Sequence, residues 1–322
     1  MASQFRYCNR WPCIRGLALY APGGIGLASQ KGNTVFFRLL VIAFIFLGLT
    51  RSADTATLSA DPGAKRDEPG YYLSLVSRLE PGDELYLPGG TYGSGLDLTG
   101  LRGRSGAWIT VIGPASGEPA VVTSGSDCCN VVQLDNSAFL ALMNLTIDSA
   151  GRDSVDGVNA KGHPTHDILI QGCTLLGQGA HQGTIGISTK SPAWNWTIRE
   201  NRVYRAGTGL YLGNSNGEAP FIAGVIEGNL IVDSIGYNLQ IKHQNAYNDT
   251  PWLEKLPNGP RRTSIRHNFF GKTIKDRPSA KKTGARPSVL VGTFPDEGPG
   301  SADYYHIHRN VFFRNPEESL RK

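Results

Sequence analysis

The segment 236–245, GYNLQIKHQN, has the side chains with the clearest potential for acid–base chemistry. Its alternation of apolar and polar residues predicts a strand whose apolar side chains point inward while Lys242 points outward. A lysine can act as a base when neighbouring positive charges lower its pKa, and an imidazole or a phenol can assist the proton transfer. We therefore predict that Lys242, His243 and Tyr211 form a catalytic set.

Further polar side chains surround this segment if equivalent strands of neighbouring repeats stack on one another. Stacking is expected to place Lys161, Ser188, Gly213, Lys242 and Gly292 on one ridge. An elongated groove of polar and aromatic groups suits an extended sugar chain, so we predict a substrate-binding set around the ridge. It consists of Lys161, His163, Lys190, Asn214, Gln240, Gln244, Asn245 and Arg266.

Basic residues are concentrated between positions 255 and 286, where Asp276 is the only acidic residue. A local positive field attracts polyanions, and an acidic polysaccharide that contains uronate is the partner that we expect. A solvated basic loop is the alternative interpretation. The basic residues are Lys255, Arg261, Arg262, Arg266, Lys272, Lys275, Arg277, Lys281, Lys282 and Arg286.

Residues 1–53 differ from the rest of the chain and predict export. They contain basic residues but no acidic one, and the apolar run 39–49 follows Arg38 directly. An apolar run of this length is typical of a secretory signal and is short for a membrane span. We expect a secreted or periplasmic protein with a cleaved leader. The alternative is an uncleaved leader, which would be the protein's one attachment to a membrane.

The leader also accounts for the basic character of the whole chain, whose net charge is +5. Six of the 32 Lys and Arg residues lie in the leader, so 26 remain against 27 Asp and Glu in residues 54–322. Because the basic excess belongs to the leader, we expect no nucleic-acid partner.

Short apolar segments recur about every 28 residues and carry an Asn at one position of the repeat. A period of this size built on short β-type runs indicates a solenoid. A buried Asn at a repeated bend can hydrogen-bond the backbone and the next Asn. The predicted column contains Asn144, Cys173, Asn201, Asn229, Asn268 and Asn310.

A second series of short strands follows Gly-rich bends, where glycine is expected to allow a positive φ. Coils that wind in one direction stack as parallel strands, so we predict a right-handed parallel β-helix over residues 54–322. An antiparallel β-sandwich is the alternative. Apolar spacing over residues 69–80 predicts a short helix that caps the N-terminal end. The glycines are Gly157, Gly183, Gly209 and Gly236.

Two runs near the start of this region, PGDELYLPGGTYGSG at 81–95 and GAWITVIGPASGEPAVV at 106–122, support the fold assignment. They resemble the N-terminal coil of bacterial right-handed β-helix proteins of the pectate-lyase-like superfamily. The chain is most similar to the branch with alginate lyases and chondroitinase B, over about residues 69–322. Proteins of this kind usually continue for several more coils, so we expect the β-helix to be truncated at its C-terminal end.

The resemblance implies a uronate lyase with a Lys base, an Arg on the next coil, and calcium held by Asn and Glu side chains. Lys242, followed by Gln244 and Asn245, is similar to the family's Lys and its Asn-rich bend. The expected Glu would fall at 237–238 and the expected Arg within 288–292, and both are missing. The metal ligands are therefore unassigned. Two hypotheses stay open: a lyase that acts by β-elimination, or a non-catalytic carbohydrate-binding or surface-adhesion module.

Overall fold

The computed structural model describes residues 55–60, 71–125, 129–247, 250–252, 255–273, 286–315 and 318–322. The predicted leader, residues 1–53, lies outside this part of the chain. The described residues form one helix, α1, and 27 short strands, β1–β27, numbered in chain order. Within these residues no helix has the length and apolarity that a membrane crossing requires. Four predicted basic residues also lie outside the described part, namely Lys275, Arg277, Lys281 and Lys282.

The strands build three parallel sheets, and successive turns of the chain add one strand to each sheet. The first sheet contains, in spatial order, β1 (Thr57–Ser59), β2 (Glu84–Tyr86), β5 (Ile109–Ile112), β8 (Ala138–Met143), β11 (Thr165–Gln171), β15 (Thr197–Arg199), β19 (Val225–Glu227), β22 (Arg262–Arg266) and β25 (Tyr304–His308). Two short strands extend it beside β11, namely β14 (Ala193–Trp194) and β18 (Phe221–Ile222).

The second and third sheets have the same order of coils. The second sheet contains β3 (Gly90–Tyr92), β6 (Ala120–Thr123), β9 (Leu145–Asp148), β12 (Thr174–Leu176), β16 (Arg202–Tyr204), β20 (Leu230–Val232), β23 (Phe269–Gly271) and β26 (Val311–Phe313). The third sheet contains β4 (Leu96–Asp97), β7 (Cys129–Leu134), β10 (Val155–Ala160), β13 (Ile185–Thr189), β17 (Thr208–Leu212), β21 (Leu239–Ile241), β24 (Val289–Val291) and β27 (Leu320–Arg321).

Apolar side chains fill the interior as columns that run through the stacked coils. In the third sheet, Val158, Ile187, Leu210 and Leu239 pair in register and are fully buried. A single coil would expose this apolar side, whereas stacking buries it. Burying one such side chain contributes about 1.5–3 kcal/mol. The parallel pairing of these strands confirms the predicted solenoid and excludes an antiparallel sandwich.

Four of the predicted asparagines form a continuous ladder inside the bend between the first and second sheets. The Nδ2 of Asn229 donates to the Ile198 carbonyl at 2.8 Å and to the Asn268 Oδ1 at 2.9 Å. Asn201, Asn268 and Asn310 repeat the bond to a carbonyl of the preceding coil. Backbone N–H groups donate to the ladder as well, so the repeated bend has its buried polar groups satisfied.

The prediction for Asn144 was wrong by one residue. Strand pairing aligns Cys173 with Leu145, which takes the buried ladder position, and places Asn144 beside Gly172. The repeat is therefore 28 residues here as well. Cys173 continues the column as a fully buried residue whose backbone N–H donates to the Asn201 Oδ1 at 2.9 Å. Burial raises the pKa of its thiol to about 12.

The residue just before the ladder position has a positive φ in six successive coils, with values between 55° and 65°. This left-handed conformation turns the chain from the first sheet into the second. Glycine adopts it freely, whereas other residues do so at a cost. The six residues are Asn144, Gly172, Glu200, Gly228, His267 and Arg309.

The four predicted glycines, Gly236 included, do not have a positive φ, which corrects the prediction; Gly157 and Gly209 lie within β10 and β17 and serve close packing instead. A Cβ on Gly157 would lie 2.5 Å from the Gly186 carbonyl oxygen on the next coil. A Cβ on Gly209 would overlap the Asn238 carbonyl in the same way. Glycine at these positions lets adjacent coils approach each other.

The N-terminal helix is shorter than predicted and spans Tyr71–Val76. Tyr72, Leu75 and Val76 are buried against the apolar interior, and Leu79 joins them after a turn. The Tyr72 hydroxyl donates to the Gly95 carbonyl at 2.7 Å, which fixes the helix on the first coil. The helix thus covers part of the apolar interior at this end.

Candidate functional site

Two of the three residues predicted as catalytic, Tyr211 and Lys242, lie side by side at the third sheet. Tyr211 lies on β17, and Lys242 follows β21 on the next coil, with its Nζ 5.9 Å from the Tyr211 ring centroid. His243 is exposed, and its ring lies beside Gly217. Burial raises the pKa of the Tyr211 phenol, and a hydrogen bond with Ser215 opposes part of this effect. The chain therefore places an aromatic ring beside the lysine ammonium.

The predicted ridge exists, but with Lys190 in the place of Ser188. Ala160, Thr189, Leu212, Ile241 and Val291 pair in register at the ends of their strands, so the next residue of each coil forms a column. Ser188 lies two residues before that column and is fully buried. We call the column the lysine ridge, and it consists of Lys161, Lys190, Gly213, Lys242 and Gly292.

The lysines of this ridge differ in their partners. Lys190 forms an ion pair with Asp156, a buried carboxylate, at 2.7 Å. Lys242 is half-buried beside the Tyr211 ring, and Lys161 is exposed. Lys161 and Lys242 are therefore the ridge lysines best placed to meet a ligand.

Three of the predicted substrate-binding residues hold neighbouring backbone groups, and a fourth, Gln240, is buried. Asn214 and Asn245 use their side-chain amides to hold backbone groups of the loop 213–220. Gln244 is buried, and its Nε2 donates to a backbone carbonyl at 3.1 Å. Gln240 is buried on the outer face of β21. These contacts stabilise the coil that carries Lys242.

The prediction that Arg266 belongs to this groove was wrong. Arg266 lies on β22, in the first sheet, whereas Lys242 borders the third sheet. Its Nη2 donates to the Glu227 Oε2 at 2.9 Å. This bond lowers the pKa of the Glu227 carboxyl and raises the pKa of the Arg266 guanidinium. Arg266 therefore stabilises two neighbouring strands away from the lysine ridge.

Some basic residues in the described part of the segment 255–286 are not open to a ligand. Arg261 is mostly buried, with its Nη1 3.5 Å from the Asp303 carboxylate. Lys272 is buried, and its Nζ donates to the carbonyl of Arg286 at 3.2 Å. Lys255, by contrast, lines a cleft. Several charges of this segment are thus used within the fold.

The cleft lies at the corner where coils pass from the third sheet to the first, and we call it the corner cleft. Its volume is about 440 Å³. It combines cationic, imidazole and aromatic side chains with three prolines. It is lined by Arg102, Asn136, His163, Pro164, His166, Pro192, Trp194, Pro251, Trp252 and Lys255.

A row of aromatic rings forms the inner wall of the corner cleft. The His166 and Trp194 rings stack at 4.7 Å with an 8° angle between their planes. Trp194 in turn stacks on Trp252 at 5.9 Å, and Tyr247 follows Trp252 at 5.3 Å. Phe139 contacts the other side of His166 edge-on. Phe139, His166 and Trp194 come from three successive coils, and Trp252 and Tyr247 extend the row from the insertion after β21.

His166 is held in one tautomer by its neighbours. Its Nε2 lies 3.0 Å from the Arg102 Nη2, and its Nδ1 lies 2.7 Å from the Asp167 Oδ2. A guanidinium can only donate, so Nε2 accepts and Nδ1 carries the proton that Asp167 accepts. The Arg102 Nη1 also donates to the Asn136 carbonyl and side-chain oxygens. The guanidinium is thereby fixed at the edge of the cleft.

His163 makes a different arrangement at the mouth of the same cleft. Its Nδ1 lies 3.0 Å from the Asp135 Oδ1, and its backbone N–H donates to the same oxygen at 2.7 Å. The His163 side chain is 76% exposed. The sequence prediction included His163 among the substrate-binding residues but did not identify Asp135 as its partner.

A buried network anchors the insertion that carries Trp252 and Lys255 over the cleft. The Tyr247 hydroxyl donates to the Asp303 Oδ2 at 3.0 Å, and the Arg261 Nη1 donates to the Tyr247 oxygen at 3.0 Å. Burial and the Asp303 charge raise the pKa of Tyr247. The network joins both ends of the insertion to the coil that contains Asp303.

Sequence reasoning missed the corner cleft because its residues are far apart in the chain. Two signals were present: His166 and Trp194 are one repeat of 28 residues apart, and Pro164 and Pro192 have the same spacing. Trp252 has no such signal, since it lies in an insertion whose path the repeat does not determine.

The residues around Lys242 do not fit the calcium site that the family resemblance implies. Calcium takes six to eight oxygen ligands, mainly carboxylates and carbonyls. The Asn238 amide is fully buried and donates to the Gly271 carbonyl and the Ser288 hydroxyl. In the described part of the chain, no group of three or more His, Cys, Asp or Glu is arranged to hold a metal ion.

Comparison with known proteins identifies the fold. No protein-family model and no curated protein sequence matches the chain. The alginate lyase from Paenibacillus sp. str. FPU-7 aligns over 82% of this chain and 97% of its own, with 15% identity and a TM-score of 0.51. A rhamnogalacturonan lyase aligns over 80% of this chain and 68% of its own, with 12% identity and a TM-score of 0.54. The chain therefore has the right-handed parallel β-helix fold that the sequence predicted.

Proposed function

We propose that the protein binds an acidic polysaccharide in the corner cleft and cleaves it by β-elimination. The observation that carries this proposal is the meeting of Arg102, His163 and Lys255 with Trp194 and Trp252 in one cleft. A uronate unit has a carboxylate, which a guanidinium binds through charge-assisted hydrogen bonds. It also has an apolar ring face, which can pack against aromatic side chains. The cleft offers Arg102 and Lys255 for the carboxylate, and Trp252 with the three prolines for the ring face. Trp194, which is 1% exposed between the His166 and Trp252 rings, supports this lining from behind.

The dimensions of the corner cleft suit an extended chain. Asn136, His163 and Pro192 line it from three successive coils. Parallel strands lie about 4.8 Å apart, so these coils span roughly 10 Å. Lys161 lies two residues before His163 and continues the basic surface onto the lysine ridge. A polyanion that lies along the corner would meet both surfaces.

β-Elimination requires a cation that neutralises the uronate carboxylate, a base that removes the C5 proton, and a proton for the departing oxygen. Arg102 supplies the cation at the edge of the cleft. Two groups are available as the base: His163 in the cleft and, by the sequence-based assignment, Lys242 beside Tyr211 on the ridge. The two lyases that share the fold favour this reaction class by analogy.

Titration of the full-length protein with a panel of uronate polymers tests the binding. We expect binding of at least one uronate polymer, weakened by salt, and no binding of uncharged dextran. Lys255→Ala and Trp252→Ala should each weaken binding by roughly 10-fold, because each removes about 1.4 kcal/mol of contact. Arg202→Ala, an exposed change on the second sheet, is the matched control and should bind as the wild type does.

The binding proposal fails if no polymer binds, or if the cleft variants and the Arg202 control behave alike. Release of unsaturated chain ends, seen by the ultraviolet absorbance of the new C4=C5 bond, tests the cleavage.

We also propose that residues 1–53 direct export and are removed. The support is the apolar run 39–49 behind a basic segment. Expression of the full chain followed by N-terminal sequencing of the exported fraction tests this. Retention of the protein in the cytoplasm with an intact N-terminus would contradict it.

A further inference from the structure

We infer that His163, oriented by Asp135, is the base that takes the C5 proton of the bound uronate. This inference rests on the proposed function and names the residue that performs its central step. It differs from the sequence-based assignment, which gives this role to Lys242.

The first support is the geometry of the Asp135–His163 pair. A carboxylate can only accept, so the 3.0 Å contact between Asp135 Oδ1 and His163 Nδ1 places the ring proton on Nδ1. The Nε2 lone pair is then free to accept a proton from a ligand. The backbone N–H of His163 donates to the same carboxylate oxygen, which fixes the side chain relative to Asp135. A histidine held by a carboxylate in this way is the usual arrangement for a general base.

The second support is the backbone that makes room for this pair. Gly162 has a φ of 107°, which side chains rarely allow, and a Cβ at this position would overlap the Asp135 carboxylate. The chain therefore wraps around the carboxylate just before His163. Asp135 is 28 residues upstream, on the preceding coil, so two coils must stack to assemble the pair.

The third support is that the neighbouring histidine cannot perform this role. Both ring nitrogens of His166 are engaged, by Arg102 and by Asp167, and the residue is buried against Trp194. Three hydrogen bonds also hold Arg102, so two of its five N–H groups remain for a ligand. Within the cleft, His163 therefore presents an open base and Arg102 an open cation.

The reaction balances without a co-reactant. His163 Nε2 takes the proton from C5 of the uronate, and the electron pair of that C–H bond forms the C4=C5 double bond. The C4–O4 bond breaks, and its electron pair leaves with O4. The imidazolium then returns the proton to O4. Arg102 stabilises the negative charge that develops on the carboxylate during proton removal.

Four variants of the full-length protein test this assignment. His163→Gln should lower the rate of unsaturated-product formation by roughly 100-fold or more, while polymer binding changes less than about 3-fold because the cations remain. Asp135→Asn should lower the rate by a smaller factor, because the imidazole loses its orientation. Lys242→Ala removes a cation of the lysine ridge, so it should weaken polymer binding and lower the rate at saturating polymer far less than His163→Gln does. His181→Ala is the matched control, since His181 is also an exposed histidine paired with an aspartate, Asp153, at 2.6 Å.

Added imidazole gives a readout that a structural role would not change. It should restore part of the activity of a fifth variant, His163→Ala, and have no effect on the four variants above. The assignment is overturned if Lys242→Ala abolishes turnover while His163→Gln retains it. It is also overturned if the wild type binds a uronate polymer without forming unsaturated ends, an outcome that leaves the binding proposal standing. Absence of binding would remove both proposals.

Discussion

Replacing Asn229 by Leu should destabilise the β-helix because the ladder loses a central member. The Asn229 side chain makes four hydrogen bonds at 2.8–3.1 Å, two as donor through Nδ2 and two as acceptor through Oδ1. In the variant, the backbone N–H of Asn201 and the carbonyl of Ile198 lose their side-chain partner in a buried bend. Leaving a buried polar group unsatisfied costs about 1–3 kcal/mol. With two groups affected, we expect a loss of about 2–6 kcal/mol.

Urea denaturation followed by circular dichroism measures this change in the free energy of unfolding. Asn310→Leu is the matched control, since Asn310 makes the same kind of bonds but is only partly buried. Water can replace part of its contribution, so we expect a smaller loss, about 1 kcal/mol. Equal effects of the two substitutions, or no effect of Asn229→Leu, would refute the argument that burial of the ladder sets its energetic importance.

Three other perturbations have defined outcomes. Gly209→Ala should destabilise the protein by about 1–3 kcal/mol in the same assay, because the new methyl group collides with the carbonyl of the next coil; a neutral effect would show that the coils can separate. Tyr247→Phe removes a hydroxyl bonded to Asp303, and it should both lower the melting temperature and weaken polymer binding. A lower melting temperature with unchanged binding would show that the position of the insertion does not depend on this bond. Glu227→Gln removes the charged partner of Arg266. The bond to Arg266 lowers the pKa of Glu227, so the bond stabilises the folded protein at any pH above the ordinary carboxyl value of 4.5. This stabilisation is lost as the pH falls through the lowered pKa. The wild type should therefore have a higher melting temperature than this variant at neutral pH, and the difference should become smaller in acid. A difference that grows in acid would contradict this.

The parallel coils could be predicted from the sequence because similar short apolar segments recur about every 28 residues. The strands β10, β13, β17 and β21 belong to the second predicted series, and their parallel pairing on successive coils confirms that the series stacks. Errors arose where one coil departs from the pattern. Asn144 was aligned by residue type, although a positive φ and not a ladder bond explains an Asn at that position.

The candidate site could be predicted only in part. Lys242 and Tyr211 lie on consecutive coils at one sheet, so alternation was sufficient to bring them together. The corner cleft depends on how the insertion folds back to place Trp252 beside Trp194. That contact is fixed by the buried pair of Tyr247 and Asp303, and no local pattern encodes a bond between residues 56 positions apart.

The column of left-handed residues at the bend into the second sheet has a consequence for how this protein can change. Glu200, Gly228, His267 and Arg309 are exposed at equivalent points of successive coils, about 4.8 Å apart along the axis. The ladder beside this column sets the backbone conformation there, so the fold tolerates a variety of side chains. A glycine at one of these positions would stabilise the bend, because glycine adopts the left-handed conformation without a steric cost. The bend is thus a surface on which new chemical groups can be displayed at regular intervals, and it could diversify or be engineered without disturbing the interior.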